Sequence, residues 1–184
     1  MRILPFAAIV FLDKSPQWMY IGINLDEMEG RNAMKIAIGN DHAAVALKHH
    51  IMKYLQDQGY EVINFGVDVV ERTDYPARGE DVAKCVASGE ADRGIVICGT
   101  GVGISLAANK VHGIRCACVS EPVSARLCRA HNNCNMIAFG ERIVGVQTAE
   151  AIVDAFLNTE AEGGRHAERV KMIMEIEEKG TCKK

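Results

Sequence analysis

Residues 98–103 combine a cysteine with three alternating glycines in the order Cys-Gly-Thr-Gly-Val-Gly, directly after an apolar run typical of a buried strand. Gly99, Gly101 and Gly103 allow the backbone to turn several N–H groups towards one point at the start of a helix. Such a cradle suits an anion, either a phosphate or the oxyanion of a reaction intermediate. The same surroundings favour the thiolate form of Cys98, which is the form that can take up a proton or attack a substrate.

The glycine spacing excludes two common phosphate-binding motifs. A P-loop requires Gly-x-x-x-x-Gly-Lys-[Ser/Thr], whereas Ile104 and Ser105 follow Gly103 here. A dinucleotide-binding motif requires other spacing after the first strand and an acidic residue at the end of the second, where Gly66 stands. A nucleotide-dependent oxidoreductase is therefore disfavoured. From residue types alone, Cys98 is as readily a packed apolar residue as a reactive one.

Composition restricts the partners and the compartment. The 184 residues are enough for one domain, and a net charge of −3 argues against nucleic acid as a partner. The seven cysteines are odd in number and lie mostly in apolar segments, which favours a reducing compartment. Cys116 and Cys118 alternate along a predicted strand and so share one face, but no further ligands follow at zinc-site spacing, and no metal site is predicted.

Apolar runs of strand length alternate with amphipathic stretches of helix length from residue 35 onward. Strands are predicted at residues 35–38, 61–65, 94–97, 115–119 and 136–139. Helices are predicted at residues 45–58, 75–88, 103–110, 122–130, 148–157 and 165–179. The expected fold is α/β, a three-layer α/β/α sandwich around a five-stranded parallel Rossmann-like sheet.

Residues 1–33 are expected to be an N-terminal extension, either poorly ordered or an artefact of an upstream start codon. The apolar run at residues 3–12 is too short to span a bilayer, and no signal-peptide cleavage pattern follows it, so no membrane partner is expected. A single folded domain is expected over residues 34–184.

Parallel sheets bind ligands outside the carboxyl ends of their strands. Three predicted loops carry polar or reactive groups at such ends, at residues 40–42, 98–100 and 140–142. On the last predicted helix, Arg165 and Arg169 are four residues apart, so both guanidinium groups can hold one phosphate. An ordinary charged helix surface is the alternative, because Glu168 and Lys171 lie on the same helix.

Seven ordered motifs between about residues 34 and 180 resemble ribose-5-phosphate isomerase type B. This family also contains allose-6-phosphate isomerases and the galactose-6-phosphate isomerase subunits. The motifs are Gly39-Asn40-Asp41-His42, Ala108-Asn109-Lys110, Ser120-Glu121-Pro122, His131-Asn132 and the segments at residues 71–76, 97–105 and 162–166.

The resemblance implies interconversion of phosphorylated aldoses and ketoses through an enediolate, without metal or organic cofactor. Cys98 resembles the base that moves a proton between C2 and C1, with Thr100 assisting and the loop amides stabilising the enediolate oxygen. His131 resembles the acid–base group that opens the sugar ring, with Asp41 close by. One branch of the family uses a glutamate base at the position of Ile104, so this chain resembles the cysteine branch.

The resemblance also implies a substrate-binding set. It consists of the sugar-pocket residues Tyr75 and Asn132, the loop residues Gly99, Gly101, Val102 and Gly103, and the phosphate ligands His42, Arg142, Arg165, His166 and Arg169.

His131 precedes the fifth predicted strand, so it lies at the amino edge of the sheet, away from Cys98 of the same chain. The family's homodimer, with sites at the subunit boundary, would bring His131 to the Cys98 of a partner subunit. We therefore expect a cytoplasmic homodimer or dimer of dimers that converts ribose 5-phosphate to ribulose 5-phosphate. An isomerase of a 6-phosphohexose, either allose 6-phosphate or galactose 6-phosphate, and a non-catalytic phosphosugar-binding subunit are the alternatives.

Overall fold

The computed structural model describes residues 34–180, so the predicted extension at residues 1–33 lies outside the described part. The strands are β1 (Lys35–Asn40), β2 (Glu61–Asn64), β3 (Arg93–Cys98), β4 (Cys116–Cys118) and β5 (Met136–Gly140). The helices are α1 (Val45–Asp57), α2 (Tyr75–Ala87), α3 (Val102–Ala108), α4 (Pro122–Asn132), α5 (Val146–Leu157) and α6 (Arg165–Gly180). Each predicted strand and helix is present, with boundaries that differ by one or two residues.

The five strands form one parallel sheet in the order β2-β1-β3-β5-β4. β1, β3 and β5 are therefore neighbours at the centre of the sheet. Their carboxyl ends are aligned, because Asn40 pairs with Ile97 and Cys98 pairs with Gly140. The three loops singled out from the sequence consequently meet at one edge.

Apolar residues cover both faces of the sheet, because side chains alternate along each strand. One face packs on α1, α4 and α5, through residues that include Ile38, Ile97 and Phe139. The other packs on α2 and α3, through residues that include Ala37, Val96 and Cys98. Helices thus cover the sheet on both sides, which confirms the predicted three-layer sandwich.

Helix α4 extends two residues beyond its predicted end. It was expected to end at residue 130 but continues to Asn132. Its start is fixed by Glu121, whose carboxylate accepts hydrogen bonds from the N–H groups of Val123 and Ser124 over 2.6 and 2.7 Å. Its end is set by Asn133, which adopts the left-handed conformation with φ of 46°.

Helix α6 packs against α4 and buries little of its surface. His166 is its one buried residue within the described chain. Among the described helices, none is both long and apolar enough to cross a membrane.

Candidate active site

Cys98 is the last residue of β3, and its sulfur lies against the backbone of the following loop. The N–H of Gly101 donates a hydrogen bond to Cys98 Sγ over 3.1 Å. Gly101 can aim its amide in this way because it has φ of 81°, a conformation that costs glycine little. Cys98 is 5% exposed, whereas Thr100 in the loop that follows it is exposed.

The first turn of α3 supplies further amide hydrogens beside Cys98. The first hydrogen bond within the helix runs from Ser105 N–H to Gly101 O over 3.2 Å. The amides of Gly103 and Ile104 therefore have no acceptor inside α3. Val102 N–H donates to Thr100 Oγ1 over 3.4 Å. The loop can present amide hydrogens to an oxyanion, as its sequence predicts.

The loop packs directly on the end of β5. Glu141 N–H donates to Cys98 O over 3.0 Å, and Arg142 N–H donates to Gly99 O over 3.1 Å. A Cβ at Gly140 would lie 2.5 Å from the backbone of Thr100. Only glycine leaves room for this approach, so β5 fixes the shape of the loop.

Replacement of Gly140 by alanine should lower kcat/KM about 100-fold, because the loop must shift by roughly 1 Å to relieve the clash. Gly145→Ala is the matched control, since a Cβ there meets nothing within 4 Å and its φ is −78°. The control should stay within about twofold of wild type, as surface changes usually do. Equal activity of the two variants in a steady-state assay would show that the contact does not shape the loop.

Tyr75 and Arg142 both pack against the glycine loop, although one precedes it in the sequence and the other follows it. A Cβ at Gly103 would lie 2.7 Å from the ring of Tyr75, and one at Gly99 would lie 3.5 Å from the guanidinium of Arg142. Both side chains are partly exposed. The structure thus brings these two predicted binding residues to the loop that follows Cys98.

Asp41 and His42 follow β1 at the same edge. Asp41 N–H extends the pairing with β3 by donating to Ile97 O over 3.3 Å, and its carboxylate accepts from Ala43 N–H over 3.0 Å. His42 Nδ1 lies 3.3 Å from the Thr73 N–H. Nδ1 also lies 3.2 Å from Thr73 O, so the backbone of Thr73 holds the imidazole ring in place. Asp41 and His42 are therefore held on the Cys98 side of the sheet.

His131 belongs to a second cluster, formed where α6 packs on α4. Its ring stacks on that of His166, with centroids 4.1 Å apart and an interplanar angle of 10°. The Glu162 carboxylate lies 3.9 Å from His131 Nε2 and 3.5 Å from His166 Nε2. Burial, then the charges of His131, Arg165 and Arg169, lower the pKa of His166, while Glu162 opposes the shift. His166 therefore stays neutral more readily than an exposed histidine.

The two clusters lie at opposite edges of the sheet. His131 is in the last turn of α4, which leads into the amino end of β5, whereas Cys98 pairs with Gly140 at its carboxyl end. Five residues of strand separate these ends, about 15 Å. Within one chain, Asp41 and Cys98 are thus far from His131, His166, Arg165 and Arg169. The delivery of His131 to a partner subunit stays a prediction.

Asn132 lines a cavity of about 430 Å³ at this amino edge, together with Arg115, Cys116 and Cys134. Its carbonyl accepts a hydrogen bond from Arg115 Nε over 3.2 Å. Cys98 is not among the residues that line this cavity.

The ligand atoms of His131, Glu162 and His166 lie within 4.8 Å of one another, so these residues are close enough to hold a metal ion. The surroundings instead favour an anion. Arg165 Nε lies 3.4 Å from His166 Nε2 and donates to it, which occupies a lone pair that a metal would need.

Two neighbours of the predicted residues were missed by the sequence reasoning. Glu162 was part of a quoted motif but was given no role, although it contacts both histidines. Cys118 was considered only with Cys116. Its Sγ lies 3.9 Å from Thr100 O, and burial, followed by the charge of Cys98, raises the pKa of its thiol. Strand pairing explains this contact, because β4 and β3 flank β5 on either side.

Comparison with known proteins identifies the family. A sequence model described as Ribose/Galactose Isomerase matches residues 36–173. Ribose-5-phosphate isomerase B from Escherichia coli is 54% identical over 145 residues, which cover 79% of this chain and 97% of that protein. The galactose-6-phosphate isomerase subunit LacB from Clostridium acetobutylicum is 46% identical over 145 residues, covering 79% and 83%.

Among solved structures, ribose-5-phosphate isomerase B from Clostridium thermocellum is similar with a TM-score of 0.79 and 55% identity. The similarity covers 80% of this chain and 100% of that one. These matches place the chain in the class of aldose–ketose isomerases. The chain belongs to the ribose/galactose isomerase family.

Proposed function

We propose that this chain converts ribose 5-phosphate to ribulose 5-phosphate through an enediolate, with Cys98 as the base. The observation that carries this proposal is the hydrogen bond from Gly101 N–H to Cys98 Sγ at the carboxyl edge of the sheet. Similarity to the ribose-5-phosphate isomerase B of Escherichia coli supports the substrate.

The proposed proton transfer begins after the sugar ring has opened. The Cys98 thiolate removes the proton from C2, the C–H electrons form a C1–C2 double bond, and the C1 carbonyl oxygen becomes an oxyanion. Amides of residues 99–103 stabilise that charge. Cys98 then returns the proton to C1, while the hydroxyl proton on O2 is transferred to O1, assisted by Thr100. The product is a ketose, and sulfur ends in its starting state.

In this proposal, the cluster around His131 and His166 opens the sugar ring and binds the phosphate. His131 exchanges protons with the ring oxygen and the C1 hydroxyl. Arg165 and Arg169 hold the phosphate from α6, with His166 beside them. His42 and Arg142 bind it from the Cys98 side.

A homodimer, or a dimer of dimers, would unite the two clusters. Exposed apolar residues beside the Cys98 loop support self-association, since Val102, Leu106 and Val123 are each more than half exposed. Free cysteines buried within the core, such as Cys85 and Cys98, support a reducing compartment, and we place the enzyme in the cytoplasm.

The second candidate function is isomerisation of a 6-phosphohexose, which the similarity to the LacB subunit favours. Parallel coupled assays with ribose 5-phosphate, allose 6-phosphate and galactose 6-phosphate separate the candidates. We expect kcat/KM to be highest for ribose 5-phosphate, by about 10-fold or more, because one extra carbon must fit the same pocket. A preference for either hexose phosphate would overturn the substrate assignment. Binding of all three sugars without turnover would instead indicate a non-catalytic subunit.

A further inference from the structure

Cys128 and Cys134 face each other across the end of α4. The Cys134 N–H donates to Cys128 O over 3.1 Å, because Asn133 turns the chain back in the left-handed conformation. Both side chains are buried and belong to the same apolar cluster. Two cysteines whose backbones are hydrogen-bonded across a closed turn can approach the short Cβ separation that a disulfide needs.

Two arginines surround this pair with positive charge. Arg129 Nη1 donates to Cys134 O over 2.9 Å, and Arg129 is 4% exposed. Arg115 donates through Nε and Nη2 to Asn133 O, over 3.0 and 2.8 Å. Backbone carbonyls therefore fix both guanidinium groups at the turn that joins the two cysteines.

The two thiols have different acidities. The hydrogen bond from Cys128, followed by the charges of Arg115 and Arg129, lowers the pKa of Cys134, against the effect of burial. The hydrogen bond with Cys134 and burial raise the pKa of Cys128. Cys134 is thus the better nucleophile, while Cys128 keeps its proton beside the Ala125 carbonyl, 3.2 Å away.

Small solutes can reach this pair through the cavity at the amino edge. Cys134 lines the cavity together with Arg115, whereas Cys128 does not. The more acidic sulfur is therefore the one that an oxidant meets first.

We propose that Cys128 and Cys134 form a redox-active dithiol site at the end of α4, which hydroperoxides oxidise to an intramolecular disulfide. The Cys134 thiolate attacks the peroxide, so that an S–O bond forms, the O–O bond breaks and hydroxide leaves. Cys128 sulfur then attacks Cys134 sulfur, so that the S–S bond forms and the S–O oxygen leaves as water with the Cys128 proton. In sum, two thiols and one hydrogen peroxide give one disulfide and two waters.

The disulfide would close a short ring that contains His131. The sulfurs must approach to about 2.0 Å, which tightens the turn that follows His131. Any effect on turnover rests on the proposed role of His131, whereas formation of the disulfide does not.

The test is oxidation of the full chain with equimolar hydrogen peroxide, followed by alkylation, intact mass measurement and peptide mapping. We expect two fewer alkyl groups per chain than in the reduced control, a linked peptide that joins residues 128 and 134, and full reversal by dithiothreitol. This measurement uses the wild-type chain, so a variant that fails to fold cannot affect its result. Absence of the linked peptide would overturn the proposal.

Single variants identify the partners. Cys128→Ser should abolish the linked peptide, while Cys85→Ser, at a buried cysteine outside the cavity, should retain it. Cys116 also lines the cavity, so a linkage that persists in Cys128→Ser and disappears in Cys116→Ser would overturn the assignment to Cys128.

Activity after oxidation is measured in the same samples. We expect wild type to lose dithiothreitol-reversible activity that Cys128→Ser retains. Equal loss in both chains, despite the linked peptide in wild type, would place the loss at another cysteine and overturn the link to His131. Failure of the proposed isomerase function would appear separately, as an unoxidised chain without turnover.

Discussion

Cys98→Ala should lose about 10²–10⁴-fold in kcat with ribose 5-phosphate, the range typical for removal of a general base. The alanine methyl group cannot take the C2 proton, while the loop, Tyr75 and Arg142 keep their positions. KM should change little, because the missing interaction belongs to the transition state. A coupled assay under saturating substrate measures the effect.

Cys85→Ala is the matched control for this variant. Cys85 has 4% of its surface exposed against 5% for Cys98, and both belong to the same apolar cluster. It lies on α2, away from the loop, and its replacement should leave kcat within about twofold. Near wild-type turnover of Cys98→Ala would rule out Cys98 as the base.

Mixing two inactive variants should restore activity if each site uses two subunits. In a dimer of Cys98→Ala with His131→Ala, one site lacks both groups and the other has an intact Cys98 and an intact His131. Random pairing makes half of the dimers mixed, so about one quarter of wild-type activity should return in a twofold-symmetric dimer. Coexpression of the two chains and a coupled assay measure the recovery.

The control for this experiment pairs Cys98→Ala with Thr100→Ala. Both residues belong to one loop, so neither site of a mixed dimer receives an intact set, and activity should not exceed the average of the parents. Absence of recovery with His131→Ala, with mixed dimers shown by mass spectrometry, would mean that His131 does not complete a partner's site.

The sequence was sufficient to locate the five strands and to predict that the loops at residues 40–42, 98–100 and 140–142 follow their carboxyl ends. Apolar runs located each strand, and the helix starts at Tyr75 and Pro122 were predicted correctly because proline and capping residues mark them locally. The contact between Cys118 and Thr100 could not be predicted, because it depends on β5 lying between β3 and β4. Periodicity gives the positions of strands along the chain but not their order in the sheet.

The cluster around His131 was harder to predict for a related reason. Glu162 and His131 are 31 positions apart and meet because the segment before α6 lies on α4, where Glu162 N–H donates to Ala130 O over 2.8 Å. The end of α4 was misjudged because two consecutive asparagines gave no indication of which one turns left-handed. Contacts set by tertiary packing leave no periodic signal in the sequence.

Close packing of the Cys98 loop on β5 also determines how this enzyme can move. Every residue of β5 is buried, and the strand lies between two others. Opening the loop would therefore break the hydrogen bonds that Gly101, Glu141 and Arg142 N–H make to it, and these three amide hydrogens should exchange with solvent slowly. The amides of Gly103 and Ile104, which have no acceptor inside α3, should exchange faster. Adjustment to a bound sugar must come from elements that pack less tightly, such as α6, while the base and its amides stay rigid.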